Sequence, residues 1–300
     1  MNMRKVAVIG TGYVGTGMVS MFQHGFDVRT YDTKYTNADR ANVQGCDLAV
    51  ICVPTPMGPD GGADITAVLD VASWIDAPLV VVKSTVPPGT TDGLNRIYGD
   101  GRFHFSPEYM GEPRNYMSGH KYPDPREPRT HDFVIVGGPR ASEVLDFFLA
   151  VMAIDARYVG TTSIAAELAK YMENTYFATK VTFCNEWARI AKNFGVDYKH
   201  LRELWLLDPR MEADHTAVFS HSPGFGGKCL PKDLAAIIYS SAAAGFYPEL
   251  LMAVQEVNDN MRNQPVSPVP TPVQLSKPTF DAPPAVVEQY GTSLLEKLGR

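Results

Sequence analysis

Apolar positions in the first half of this chain fall into two patterns. Short runs such as Val6-Ala7-Val8-Ile9, Leu48-Ala49-Val50-Ile51 and Leu79-Val80-Val81-Val82 are continuously apolar, as expected of strands covered on both faces. Between them lie segments with helical spacing. The alternation predicts strands at 5–10, 27–32, 47–53, 79–84, 102–106 and 132–136, and helices at 12–24, 65–74, 90–98 and 140–152. Strands alternating with helices imply a parallel sheet.

From Thr162 the pattern changes. Ile164, Leu168, Tyr171, Thr175, Ala178 and Phe183 follow helical spacing to about Ala191, and Gly195 supplies a stop. A helix of roughly 30 residues is long for a globular domain, so it is expected to pack against a second subunit. Further helices are predicted at 198–207, 230–244 and 248–261. After Asn263, prolines 265, 268, 270, 272, 278, 283 and 284 break any regular element. The expected organisation is a dinucleotide-binding domain at 1–155, a helical central domain at 156–262, and a proline-rich, disordered tail at 263–300. Residues 286–298 could close that tail with a short docking helix.

Composition narrows the class. The 300 residues are 45% hydrophobic and carry a net charge of −6, enough for a sizeable core and contrary to nucleic acid as a main partner. Cys46, Cys52, Cys184 and Cys229 are scattered, with no CxxC pair, and need no disulfide framework. No signal peptide or membrane span is read, and no histidine spacing marks a metal site. The expectation is a cytoplasmic protein.

Two motifs carry the chemistry. Gly10-x-Gly12-x-x-Gly15 follows a strand and opens a helix. Its glycines permit a tight turn, close approach to a pyrophosphate and close helix–strand packing. Asp32 ends the next strand, where an acid accepts a hydrogen bond from an adenosine ribose and favours NAD. Lys34, close by, weakens that preference. The second motif is Gly224-Phe-Gly-Gly-Lys-Cys229-Leu-Pro-Lys-Asp233. Glycines there let backbone N–H groups approach an anion, and a neighbouring cation is expected to lower the Cys229 pKa. A nucleophilic thiol beside a nicotinamide cofactor points to oxidation through a thioester. Elsewhere, Thr55 and Thr85 end strands, Glu108 and Glu112 are paired carboxylates, and Glu167, Lys170 and Asn174 share one helical face. Singly, each has an ordinary reading: a proline turn, a helix cap, an acidic loop, an exposed helix face.

Together and in order, Gly10-Thr-Gly-Tyr13-Val14-Gly15, Cys52-Val-Pro-Thr-Pro56, Lys83-Ser-Thr-Val-Pro-Pro-Gly89, Ser106-Pro-Glu-Tyr-Met-Gly-Glu112, Glu167-Leu-Ala-Lys-Tyr-Met-Glu-Asn174 and the Cys229 loop resemble the UDP-glucose/GDP-mannose dehydrogenase family over residues 4–262. The resemblance implies a Rossmann-type doubly wound α/β sheet followed by an all-helical domain. The length of the 162–194 helix favours a homodimer built through it. The resemblance also implies a four-electron oxidation in which NAD converts the C6 alcohol of a nucleotide sugar, most simply UDP-glucose, to a carboxylate.

In that scheme Cys229 forms a thiohemiacetal and then a thioester. Lys170 and Asn174 steady oxyanions, and Thr85, Glu108 and Asp233 organise water and proton transfer, with Glu112 and Lys232 nearby. Gly10, Gly12, Tyr13, Val14, Gly15, Asp32, Lys34, Thr55 and Thr85 hold the cofactor.

Three departures are visible. Only fourteen residues separate Asp32 from Asp47, so the adenine side is expected to be trimmed. Spacing between Asp208 and Gly227 is altered, which displaces Arg210 from its family register, and 113–130 is rich in proline and charge. The tail stands where the family's carboxy-terminal nucleotide-binding domain would begin. Two other functions share parts of the pattern. A single-step hydroxyacid dehydrogenase would have the dinucleotide domain and Lys-x-x-x-Asn pair without needing Cys229. A non-catalytic NAD-binding protein would keep the glycine turn alone.

Overall fold

The computed structural model describes residues 3–99, 101–110 and 127–263. Seven strands form one sheet in the order β2-β1-β3-β4-β5-β6-β7. They are β1 (Lys5–Ile9), β2 (Asp27–Tyr31), β3 (Leu48–Ile51), β4 (Val80–Val82), β5 (Phe103–Phe105), β6 (Phe133–Gly137) and β7 (Arg157–Thr161). The first five run parallel.

The apolar strand runs are explained by the pleat. Ala7, Ile9, Ala49, Ile51, Val80 and Val82 face one side, packing with Val68, Val71 and Ala72 of α2 (Thr66–Trp74) and Leu94 of α3 (Thr90–Tyr98). Their neighbours Val6, Val8, Leu48, Val50 and Val81 face the other. These pack with Met18, Met21 and Phe22 of α1 (Tyr13–Phe22), and with Val144, Phe147 and Phe148 of α4 (Ala141–Leu149). Successive side chains point to opposite faces, so two covered faces demand an unbroken apolar run.

Two features depart from the expected parallel sheet. β6 runs antiparallel to β5, and the two share one paired position, Phe105 with Gly137. β7, which has no apolar signature, pairs parallel with β6 along its whole length. With so short an overlap, β6 projects past the carboxyl end of β5, and Phe133 meets Tyr109 ring to ring at 4.8 Å. On the other side β2 is the edge strand. The link from β2 to β3 contains a 3-10 turn at Arg40–Val43 and no other helix or strand.

The helical region begins with α5 (Ser163–Asn193), 31 residues long and capped by the Thr162 hydroxyl, which accepts from the Ala165 amide. It is followed by α6 (Tyr198–Trp205), α7 (Leu230–Ala243) and α8 (Glu249–Asn263). Ala178, Phe225, Leu234 and Val254 pack α5, α7 and α8 together. No helix among the described residues is long and apolar enough to cross a membrane. Glu112, most of the 113–130 stretch and the expected tail beyond Asn263 lie outside the described residues.

Candidate active site

Parallel strands share one carboxyl edge, so the loops after β1, β3, β4 and β5 meet there. The strand order reverses between β1 and β3, which opens a crevice. Gly10 turns the chain at φ +85°, and a Cβ on Gly10 would meet the Cys52 carbonyl at 2.6 Å. A Cβ on Gly15 would lie 1.8 Å from the Gly10 oxygen, whereas one on Gly12 would meet nothing within 4 Å. The first and third glycines are thus required for packing. Gly12, Tyr13 and Val14 form an open ledge at the start of α1.

Asp32 is tied to that ledge. Its Oδ2 accepts from the Thr11 amide at 2.7 Å and the Thr11 hydroxyl at 2.9 Å, and its Oδ1 accepts from the Lys34 amide at 2.9 Å. The Lys34 ammonium reaches back to the Thr11 carbonyl at 2.7 Å and lies 3.4 Å from Asp32. Burial pushes the Asp32 carboxyl up, but the donors from Lys34 and Thr11 outweigh it and hold the pKa at about 2. Thr55 and Thr85 join the next two loops: the buried Thr55 hydroxyl donates to the Thr85 carbonyl at 2.8 Å. Thr55 therefore acts first as a strut, while the Thr85 hydroxyl stays unengaged among the described residues.

A second group of side chains faces the same edge. Glu167, Lys170 and Asn174 share one face of α5 and are buried, at 0%, 7% and 6% exposure. Asn174 donates to Asp233 Oδ2 at 2.6 Å, and the Lys232 ammonium bonds Asp233 Oδ1. The Lys170 ammonium pairs with Glu173 at 2.7 Å and lies 5.0 Å from the Tyr109 ring centre. Glu108 accepts from the Met110 amide. Burial raises the Glu108 pKa, and Lys170 and Lys83 oppose that rise. Cys229 sits at the N-cap of α7, one turn before Asp233. Asp233, Lys232, Glu108 and Lys170 all act electrostatically on its thiol, so these four groups lie near the sulfur.

Two expectations are corrected. The Cys229 thiol is raised above its ordinary pKa, not lowered. Crowding by protein is the leading cause and Asp233 adds to it, with Lys232 and Lys170 opposing. The side chain is exposed to solvent on its open side, yet packed protein surrounds the sulfur's other sides. Lys232 is a weak counter-charge because it is already bound to Asp233. Glu167, on the same face of α5, serves the fold. Its carboxylate takes the Gly89 amide at 2.6 Å, the Thr91 amide at 2.9 Å and the Thr91 hydroxyl at 2.7 Å, capping α3 from another element. Finally, the first amides of the glycine loop are already engaged: Gly224 donates to Asn185 Oδ1 and Phe225 to Asn258 Oδ1.

Comparison with known proteins agrees with this geometry. Residues 33–112 match the NAD binding domain of the UDP-glucose/GDP-mannose dehydrogenase family, and residues 164–260 match its central domain. UDP-glucose 6-dehydrogenase AglM of Haloferax volcanii is 30% identical over 310 residues, covering 85% of this chain and 69% of that protein. The chain belongs to the UDP-glucose/GDP-mannose dehydrogenase family. A UDP-glucose 6-dehydrogenase of Pseudomonas aeruginosa is 34% identical over 224 residues, with 71% of this chain and 48% of that protein covered. The solved UDP-glucose dehydrogenase of Pyrobaculum islandicum superposes with a TM-score of 0.71 at 30% identity, covering 86% of this chain and 68% of that one.

Membership indicates an NAD-binding oxidoreductase. The residues fit NAD: Gly12 leaves bare, open backbone that a pyrophosphate can approach, and Asp32 beyond it is anionic. A residue that motif reading quoted without a role is Lys83. Its signal was an ionisable side chain ending an apolar strand.

Proposed function

We propose that this family member oxidises the C6 alcohol of a nucleotide sugar to a uronate in two successive two-electron steps, with UDP-glucose as substrate. The observation that supports this reading is the Asn174–Asp233 bond one helical turn from Cys229, beside Lys170 and Glu108. Residues Gly10 to Gly15 and Asp32 would hold NAD, with Thr55 and Thr85 bracing the adjacent loops. Bound NAD would supply the hydride acceptor for both oxidations, and the hydroxyl proton released in each would pass to water.

The chain's own groups do the rest. Cys229 rests as a thiol, so its sulfur adds to the aldehyde carbon as its proton passes to the carbonyl oxygen. Lys170 and Asn174 donate to that oxygen while it carries charge. After the second oxidation C6 is a thioester of Cys229. Glu108, whose pKa burial raises, takes a proton from water. The water oxygen bonds to C6, the C–S bond breaks, and the sulfur regains a proton. Thr85 offers its hydroxyl to orient that water.

Two NADH per molecule of UDP-glucose consumed is the expected yield, and Cys229→Ser is expected to form no acid. One NADH per product would favour the single-step hydroxyacid reading. Acid formation unchanged in Cys229→Ser would refute the covalent step.

We also assign a homodimer to α5. Ile164, Leu168, Met172 and Tyr176 recur every four residues along it and are 44%, 45%, 77% and 57% exposed, an apolar stripe that a second copy would cover. Four free cysteines fit a reducing, cytoplasmic setting.

A further inference from the structure

Strand β4 is an apolar run that ends in a charge. Lys83 follows Val82 and is only 7% exposed, and an ammonium buried to that degree requires partners. It donates to the Pro107 carbonyl at 2.8 Å and to the Ser106 hydroxyl at 3.3 Å. Both acceptors belong to the loop that presents Glu108, one and two positions before it. The ammonium also lies 5.9 Å from the Phe148 ring centre. Lys83 and Glu108 line one cavity of about 20 Å³, walled by Met18, Met21 and Phe148. A space of that size holds a single water.

The charges around Glu108 come from several elements. Lys83 stands beyond β4, Lys170 and Glu173 on α5, Cys52 beyond β3 and Cys229 at the start of α7. His131 and Tyr109 also line the cavity. Lys170 is bound to Glu173 at 2.7 Å, and Glu173 itself disfavours the ionised Glu108. Lys83 forms no ion pair among the described residues, so no bound carboxylate offsets its charge.

We propose that Lys83 is a positioning residue for Glu108: it anchors the 106–108 loop by two hydrogen bonds and, across the one-water cavity, favours the ionised carboxylate that accepts a proton. The inference rests on the role given to Glu108 above, and Lys83 acts through that residue. It also explains why an otherwise apolar strand ends in a buried cation. Burial lowers the Lys83 pKa to about 8, and Glu108 is the leading group opposing that fall. The two titrations are therefore coupled.

The test is carbon-13 NMR titration of the Glu108 carboxyl in the full chain, its resonance assigned by loss in Glu108→Gln. In the unmutated protein the signal should move twice, once with its own proton and again near pH 8 as Lys83 loses its proton. In Lys83→Met the second inflection should vanish and the first should move to higher pH. Lys83→Arg should return the first inflection towards its original position without the second, because a guanidinium keeps its proton.

A single inflection in the unmutated protein overturns the proposal. So does a Lys83→Met curve that superimposes on the unmutated one, even if that variant melts lower. The first measurement needs only Glu108→Gln for its assignment, and none depends on turnover, so a failure of the proposed reaction would be separately visible.

Discussion

Asn174 donates a 2.6 Å hydrogen bond to Asp233, joining α5 to α7 across 59 positions of the chain. Asp233 is 1% exposed, and its other oxygen takes the Lys232 ammonium. The bond therefore holds a buried carboxylate and, through it, the helix that starts at Cys229. Asn174→Ala removes the donor and leaves a buried acceptor unmet, at a cost of about 1–3 kcal/mol. A lower Tm with a lower kcat is the expected outcome. Asn174→Asp would set two carboxylates together, so its destabilisation should be greater at pH 8 than at pH 5.

Glu108 should trade stability for function. Its folded pKa is raised, so the fold binds its proton more tightly than the unfolded chain does. Ionisation then costs stability at all pH values above the folded pKa, and the cost is relieved as pH falls toward the ordinary value of 4.5. Glu108→Gln is expected to melt higher than the unmutated protein at pH 8 and to converge with it near pH 4, while losing uronate formation. Equal melting at both pH values would contradict this assignment.

The glycine turn separates folding from binding. Gly12→Ala meets nothing within 4 Å, so its Tm should change by less than about 2 °C. Its methyl group would occupy the ledge, and NADH affinity measured by fluorescence should fall at least about tenfold. Gly15→Ala puts a carbon 1.8 Å from the Gly10 oxygen and should lower both Tm and affinity.

Asp32 makes an opposite pH signature to Glu108. Its folded pKa of about 2 lies below the ordinary 3.8, so it contributes stability that is present above 3.8 and lost as pH falls through the folded value. Asp32→Asn should lose on the order of 2 kcal/mol at neutral pH, read by urea unfolding. The gap between variant and unmutated protein should narrow from pH 5 to pH 3. NADH affinity should fall in the same variant.

Much of the fold is legible in local pattern. The predicted 162–191 helix is Ser163–Asn193, and the predicted 230–244 helix is Leu230–Ala243. Helical spacing and caps are properties of neighbouring residues. β7 was not legible because it is largely open to solvent, with exposed residues at three of its five positions, and therefore has no apolar run. The direction of β6 was hidden for another reason: strand polarity depends on the path of the connection, which periodicity does not encode. In the candidate site, spacing identified Lys170, Asn174, Cys229 and Asp233 as chemistry-bearing groups. It gave no role to Glu167, whose carboxylate is used by a helix start 76 positions away.

The chain by itself determined where strands and helices form, where the backbone must turn, and which reactive side chains are available. These follow from Cβ sterics, apolar period and residue chemistry within a few positions. Tertiary structure alone decided what each ionisable group experiences. Cys229 is raised first by the protein packed around it and then by the nearby Asp233, and Lys83 meets the Glu108 loop because β4 and β5 are paired. Acidity is set by burial and by charges brought together through space, and those distances exist only once the chain has folded.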